Sequence, residues 1–332
     1  MSATEQAMPC PWHLPVWQTL TERERQPHAF LFSGASGVGK RLFAEAFADW
    51  LLCQRPIVGA ACGQCRSCQL RLVGNHPDRL LVEPEEEGKA IRIDAVRQLS
   101  DFMVQTAQQG GRKVVILQPA EAMNLNAANA LLKSLEEPAS ETYLLLVSDQ
   151  PSRLLATIRS RCQVLALTAP AHAEAQQWLA QQLPDLDAAQ HEALLLMAGG
   201  APLRALALHG MGAATLREQV VEDVKALLKS EKSASQLADS WNAIPLELLM
   251  DWFCDWTLDL LRLKTEAREM PLNTDMDKVL PYMARHIKVP VLLAWQDWLL
   301  EHRGMVLSKA NLNRVLLIEA LLTQWRQLME KR

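Results

Sequence analysis

Gly34-Ala35-Ser36-Gly37-Val38-Gly39-Lys40-Arg41 is the stretch that decides how this chain is read. The pattern Gly-x-x-x-x-Gly-Lys is complete. Apolar Phe30-Leu31-Phe32 before it predicts a strand, and the run from Arg41 to Phe47 after it predicts a helix. In that setting, backbone N–H groups at a helix N-terminus wrap phosphates. Gly34, Gly37, Gly39 and Lys40 are therefore the candidate phosphate-binding residues. The residue after the lysine should be Ser or Thr, whose hydroxyl reaches Mg²⁺. Here it is Arg41, which has five donors, no acceptor and a charge that repels a cation.

The second half of a working nucleotide switch is an acidic pair after a buried strand. Its Asp helps hold the metal and its Glu orients the attacking water. The candidate strand is Val114–Leu117, and Gln118-Pro119-Ala120-Glu121 follows it. Gln118 brings a neutral oxygen, Pro119 brings no ligand, and Glu121 stands two residues past the expected base. Together these losses predict a pocket that does not hydrolyse ATP. The intact glycines and Lys40 leave weak ATP or ADP occupancy open.

Around this loop the first half of the chain alternates short apolar runs with helical stretches. Ala29–Ser33, Arg79–Val82, Val114–Leu117, Tyr143–Val147 and Val164–Leu167 read as buried strands of a parallel sheet, with connections long enough for right-handed crossovers. After Thr168 the strand signal ends. Residues 169–183, 187–198 and 202–209 read as three short helices, punctuated by Pro184 and Gly199-Gly200. This group is too small to hold much of a core alone. From about Met211 everything reads as helix, with breaks near Ser230–Ser235, Pro245, Pro271–Thr274, Pro281 and Pro290, and a last helix over Asn311–Met329. Residues 1–11 read as a loose tail. Six of the ten tryptophans fall between Trp241 and Trp325, as core filling or as an exposed helix-bundle interface.

Composition narrows the partners. The 332 residues are 49% hydrophobic and 22% charged, an ordinary globular profile, with a net charge of −4 that gives no global attraction to nucleic acid. No run approaches the roughly 18 apolar residues of a membrane span. The first residues lack both a basic and an apolar signal region, so a cytoplasmic protein is expected.

There, seven cysteines argue for thiols or metal ligands rather than disulfides. Cys53, Cys62, Cys65 and Cys68 form Cys-x8-Cys-x2-Cys-x2-Cys. Four thiolates within 16 residues match a tetrahedral zinc site. Unligated thiols or a redox Cys-x-x-Cys are the alternatives, although a redox pair needs only two of the four. Four protein ligands leave no place for water, so such a Zn²⁺ would be structural. His76 is nearby and surplus, and it reads as a loop residue. Cys10, Cys162 and Cys254 read as ordinary thiols.

Two further segments complete the pattern. Asn129–Pro138, NALLKSLEEP, is an amphipathic helix ended by Pro138, and Ile158-Arg159-Ser160-Arg161-Cys162 precedes the fifth strand. Taken alone they are a surface helix and a basic turn. Behind a phosphate loop and a four-cysteine insertion, and in this order, they closely resemble bacterial clamp-loader subunits of the AAA+ class, from the DNA polymerase III assembly. The resemblance covers nearly the whole chain.

It implies an AAA+ RecA-like parallel sheet core over 1–168, with a zinc module at about 53–68. A small helical lid over 169–210 and an all-α collar over 211–332 would follow. The broken pocket resembles a non-hydrolysing member more than the ATP-driven motor subunit. In the family the Ser-Arg-Cys arginine reaches into the neighbouring subunit's ATP site, which maps onto Arg161, with Arg159 as the neighbouring candidate. Arg204 matches the sensor arginine of the lid, and Ser148 the polar sensor residue, although both also read as ordinary helix-surface and strand-end residues.

The implied function is that of a stator in the loader that places the sliding clamp on primed DNA. Implied partners are the motor (tau/gamma) and delta subunits, with clamp and DNA reached through the assembly. The alternatives are an active motor subunit of the same loader, a free-standing zinc-dependent DNA-binding protein, and a small-molecule phosphotransferase sharing only the loop.

Overall fold

A computed structural model describes residues 8–57, 59–86, 88–109, 111–265, 273–308 and 310–330. Part of the expected tail (1–7) and part of the expected break at 271–274 lie outside them. The chain divides into two compact units, Met1–Leu206 and Ala207–Arg332.

The first unit runs α1 (Leu14–Thr21), β1 (Ala29–Ser33), α2 (Lys40–Leu52), α3 (Arg66–Leu72), β2 (Arg79–Val82), α4 (Ile93–Val104), β3 (Lys113–Leu117), α5 (Leu125–Glu136), β4 (Thr142–Ser148), α6 (Ala156–Arg159) and β5 (Gln163–Ala166). Then come α7 (His172–Gln182), α8 (Ala188–Met197) and α9 (Pro202–Gly210). All five strands are parallel, in the order β2-β3-β4-β1-β5.

Side chains alternate across the strands, so the sheet separates two cores. Phe30 and Phe32 of β1 face one way and pack with Phe43 and Phe47 of α2. Ala29 and Leu31 face the other way, onto α4 and α5 through Leu99, Leu131 and Leu135. Strands covered on both faces need continuous apolar runs, and β1, β3 and β4 are buried along their whole length. This is the expected AAA+ RecA-like α/β core.

Two expectations about this unit are corrected. The described part of the N-terminal segment is not a loose tail. Cys10 is buried, and Trp12 donates from its indole to the carbonyl of Val38 at 2.9 Å while meeting Trp178 of α7 edge-on. The edge strands β2 and β5 are only partly buried, with Leu81 and Val164 exposed. His76 lies in the loop between α3 and β2, as expected, where it is buried, pairs with the Ser67 hydroxyl at 2.7 Å through Nε2, and accepts from the Asp78 N–H at 3.1 Å through Nδ1.

The second unit is helical throughout its described residues: α10 (Ala213–Leu228), α11 (Ala234–Ser240), α12 (Leu246–Lys264), α13 (Val279–His286), α14 (Val289–Leu307) and α15 (Arg314–Glu330). The breaks expected near Pro281 and Pro290 fall at 277–278 and 287–288, and the two prolines follow just inside the next helices. They sit in the first turns of α13 and α14, where a missing N–H costs nothing. The last helix starts at Arg314, later than expected, because the Asn313 side chain caps it by accepting from the Leu316 N–H at 3.1 Å. Trp241, Trp252, Trp256, Trp295 and Trp325 are buried, which settles them as core. Phe253 joins three of these rings in edge-to-face contacts at 5.0–6.4 Å. Among the described residues no single helix is long and apolar enough to cross a membrane.

Candidate functional site: a filled phosphate loop, an exposed arginine turn and a four-cysteine cluster

The phosphate loop leaves β1 and enters α2 at the C-terminal edge of the sheet. Gly37 and Gly39 hold φ of 77° and 103°, which favour glycine. Space enforces the same choice. A Cβ on Gly37 would collide with Arg204 of α9, and one on Gly39 would lie 2.5 Å from the Cys10 sulfur. The Leu203 N–H donates to the Gly37 carbonyl at 3.1 Å. α9 and the N-terminal segment thus both close on the loop.

Lys40 is 4% exposed. Its ammonium donates to the Ala35 carbonyl at 2.5 Å and pairs with the Asp149 carboxylate at 2.6 Å. Strand register explains the pairing. Ser33, which ends β1, lies opposite Ser148, which ends β4, so the residues that follow each strand meet at one edge. Ser148 is fully buried, and its hydroxyl accepts from the Gln150 N–H at 3.2 Å. Glu121 accepts through Oε1 from the Asp149 and Gln150 N–H groups, at 2.8 and 3.1 Å. Backbone thus engages one oxygen of this carboxylate, while Oε2 is buried without a hydrogen-bond partner.

Arg41 pairs with Glu45 at 2.9 Å and with Glu83 at 3.3 Å, and Gln118 donates to the same Glu83 oxygen at 2.9 Å. Asp149 and Glu83 were not singled out from sequence. No motif marks either one, and only the order of strands brings them to the loop.

Arg161 lies away from this cluster of contacts, in the turn between α6 and β5. Ile158 and Cys162 are buried and pin the turn at both ends, leaving Arg159, Ser160 and Arg161 exposed. Burial pushes the Cys162 thiol up to about 12, so it anchors without reacting. Arg161 donates to the Thr157 carbonyl at 3.1 Å and to Glu136, the last residue of α5, at 2.7 Å.

The four cysteines come together as expected. Cys53 ends α2, Cys65 caps α3, and Cys68 lies within α3. Their sulfurs all lie within 4.8 Å of one another, with Cys53–Cys65 and Cys62–Cys68 at 4.0 Å. A tetrahedron built on bonds of about 2.3 Å has edges of about 3.8 Å, so the donor set fits zinc. Backbone N–H groups point at the sulfurs: Cys62 to Cys53 at 3.2 Å, Cys65 to Cys62 at 3.4 Å and Cys68 to Cys65 at 3.5 Å. N–H groups of Gln64 and Cys65 bring the Cys62 thiol down to about 6, which favours the thiolate that a metal needs.

The module is tied to the core through Asp49 of α2, which pairs with Arg71 of α3 at 3.2 Å and approaches Arg79 of β2 at 4.0 Å. Among the described residues no other group of histidine, cysteine and acidic side chains gathers in this way.

Comparison with known proteins agrees with this architecture. A family model described as DNA polymerase III, delta subunit, matches residues 12–171, and a second, described as its C-terminal part, matches residues 212–327. DNA polymerase III subunit delta′ of Pseudomonas aeruginosa is 56% identical over 96% of this chain and 97% of its own length. The Yersinia pestis protein of the same name is 36% identical over 95% of this chain and 94% of its own. The Escherichia coli K12 protein is 34% identical over 94% and 93%. With a nucleotide-type core, a helical second unit and near full-length matches, the chain belongs to the family of DNA polymerase III clamp-loader delta′ subunits.

Proposed function

We propose that this chain is a non-hydrolysing stator of the DNA polymerase III clamp loader. It helps place the sliding clamp on primed DNA and lends Arg161 to the ATP site of the adjacent subunit. The observation that carries the first part is the state of its own pocket. Lys40 is paired with Asp149, Glu121 is held by backbone N–H groups, and Arg41 and Gln118 share Glu83. The residue after Lys40 offers no hydroxyl and the residues after β3 offer no acidic pair to hold magnesium, and Glu121, whose Oε2 has no partner, stands two residues past the expected base.

The second part rests on the exposed turn. A guanidinium outside its own fold can stabilise charge developing on a phosphate held by a neighbour. The helices of 211–332 serve as the collar that joins the motor and delta subunits, and 1–168 and 169–210 act as core and lid. Zn²⁺ on Cys53, Cys62, Cys65 and Cys68 holds the loop between α2 and β2 in place and takes no part in chemistry. DNA and clamp are met through the assembled loader in the cytoplasm.

The test is ATP turnover. The isolated chain shows none with magnesium, and a loader reconstituted with Arg161→Ala turns over ATP at least tenfold more slowly in the presence of primed DNA and clamp. Brisk hydrolysis by the chain alone would favour the motor-subunit reading. Unchanged turnover with Arg161→Ala would remove the arginine from the mechanism.

A further inference from the structure

A phosphate loop has one side chain that meets its ligand as a full charge, the lysine. In this chain that charge is already met. The Lys40 ammonium is nearly excluded from water, lying between the Ala35 carbonyl and the Asp149 carboxylate. Asp149 has a side chain that is 41% exposed, but the backbone that carries it is held. Its own N–H is held at 2.8 Å by Glu121, and the next N–H is shared between Glu121 and the Ser148 hydroxyl, at 3.1 and 3.2 Å. Ser148 is immobilised in turn by full burial at the end of β4, paired in register with the end of β1. The two residues nearest to a sensor and a catalytic base in position thus both hold the backbone from which this carboxylate reaches the ammonium.

We propose that Asp149 is a built-in ligand of the phosphate loop: its carboxylate stands where a phosphate would meet Lys40, and it denies the loop to nucleotides. Two effects act together. The carboxylate neutralises the buried cation that would attract a phosphate, and it repels the phosphate itself at short range. Glu121 and Ser148 are its positioning residues. The inference deepens the non-hydrolysing reading of this pocket and is independent of any role of Arg161.

The experiment titrates the full-length chain, zinc-loaded and free of chelator, with ADP and separately with inorganic pyrophosphate, followed by calorimetry. The wild-type chain is expected to show no saturable binding of either. Asp149→Ala is expected to bind both at least tenfold more tightly than wild type, and the added ligand should raise its melting temperature by re-pairing the buried ammonium. The gain should vanish in the double variant Asp149→Ala with Lys40→Met. Saturable wild-type binding as tight as that of Asp149→Ala overturns the proposal, as does a gain that survives loss of Lys40. If Asp149→Ala does not fold, Asp149→Asn keeps the shape and removes the charge. A folded Asp149→Asn with no gain overturns the proposal equally. Hydrolysis of ATP by Asp149→Ala would count against the non-hydrolysing reading while leaving this one intact.

Discussion

Glu136, the last residue of α5, accepts from the guanidinium of Arg161 at 2.7 Å, so a single ion pair joins the NALLKSLEEP helix to the turn before β5. Both side chains face solvent, with 51% and 36% exposure. Water screens such a pair, and its worth is at most about 1 kcal/mol. Glu136→Gln and Arg161→Ala are therefore expected to change unfolding free energy by less than about 1 kcal/mol, read by urea denaturation. A loss well above that would make the arginine a structural residue, and its turnover phenotype would then lose its meaning.

Removal of the metal should act on stability alone. Cys65→Ser takes away a sulfur that also caps α3 by accepting from the Cys68 N–H. Metal content is expected to fall from about one zinc per wild-type chain to near zero, and the melting temperature to drop by several degrees, since a structural site contributes folding energy directly. Far-UV circular dichroism should change little, because the sheet and α2 have their own cores. Full zinc occupancy in Cys65→Ser would refute the four-thiolate site.

In the second unit the most costly single change is expected at Arg217. Its guanidinium, 7% exposed, donates to Asp275 and Asn273 at 2.6 Å each and lies 5.5–5.8 Å from the ring centroids of Trp252 and Trp256. Arg217→Ala strands Asp275 and opens a void beside two indoles. The cost should be about 3 kcal/mol, the low end for a broken buried pair because Asp275 is one-third exposed. Arg217→Lys keeps the charge without the fork and should lose roughly half as much. Urea unfolding followed by tryptophan fluorescence reads both, and equal losses in the two variants would show that geometry matters more than charge here.

His13 supplies a pH dependence. It is 2% exposed, its Nε2 meets the Thr168 carbonyl at 3.2 Å, and burial holds its pKa below the ordinary 6.5, with the Lys40 charge acting the same way and the backbone contact opposing. Below about pH 6.5 the unfolded chain takes up a proton here that the folded chain refuses. Stability is then lost as pH falls, by at most about 1.4 kcal/mol per pH unit, until the folded pKa is reached. His13→Gln removes this term, so its stability should fall less steeply than that of wild type as pH drops below about 6.5. Parallel slopes would mean that His13 is protonated in the folded state.

The chemistry that announces itself locally was legible. The glycines and Lys40 dictate a loop between strand and helix. Five apolar runs dictate five strands, with observed bounds within a residue or two of those expected, although only β1, β3 and β4 are buried throughout. Four cysteines at short spacings match a shared metal site, and their sulfurs do lie within 4.8 Å of one another. Less legible was the setting of Cys10, whose sulfur packs against the distant Gly39.

Sequence by itself determined that the pocket lacks a magnesium ligand after Lys40 and an acidic pair after β3, since these are matters of which atoms are present. Only the tertiary structure decided what the surviving lysine does instead. Neither Lys40 nor Asp149 carries any mark of the other along the chain. They meet because β1 and β4 are neighbours in the sheet and end in register, and strand order is a property of the folded sheet rather than of either segment.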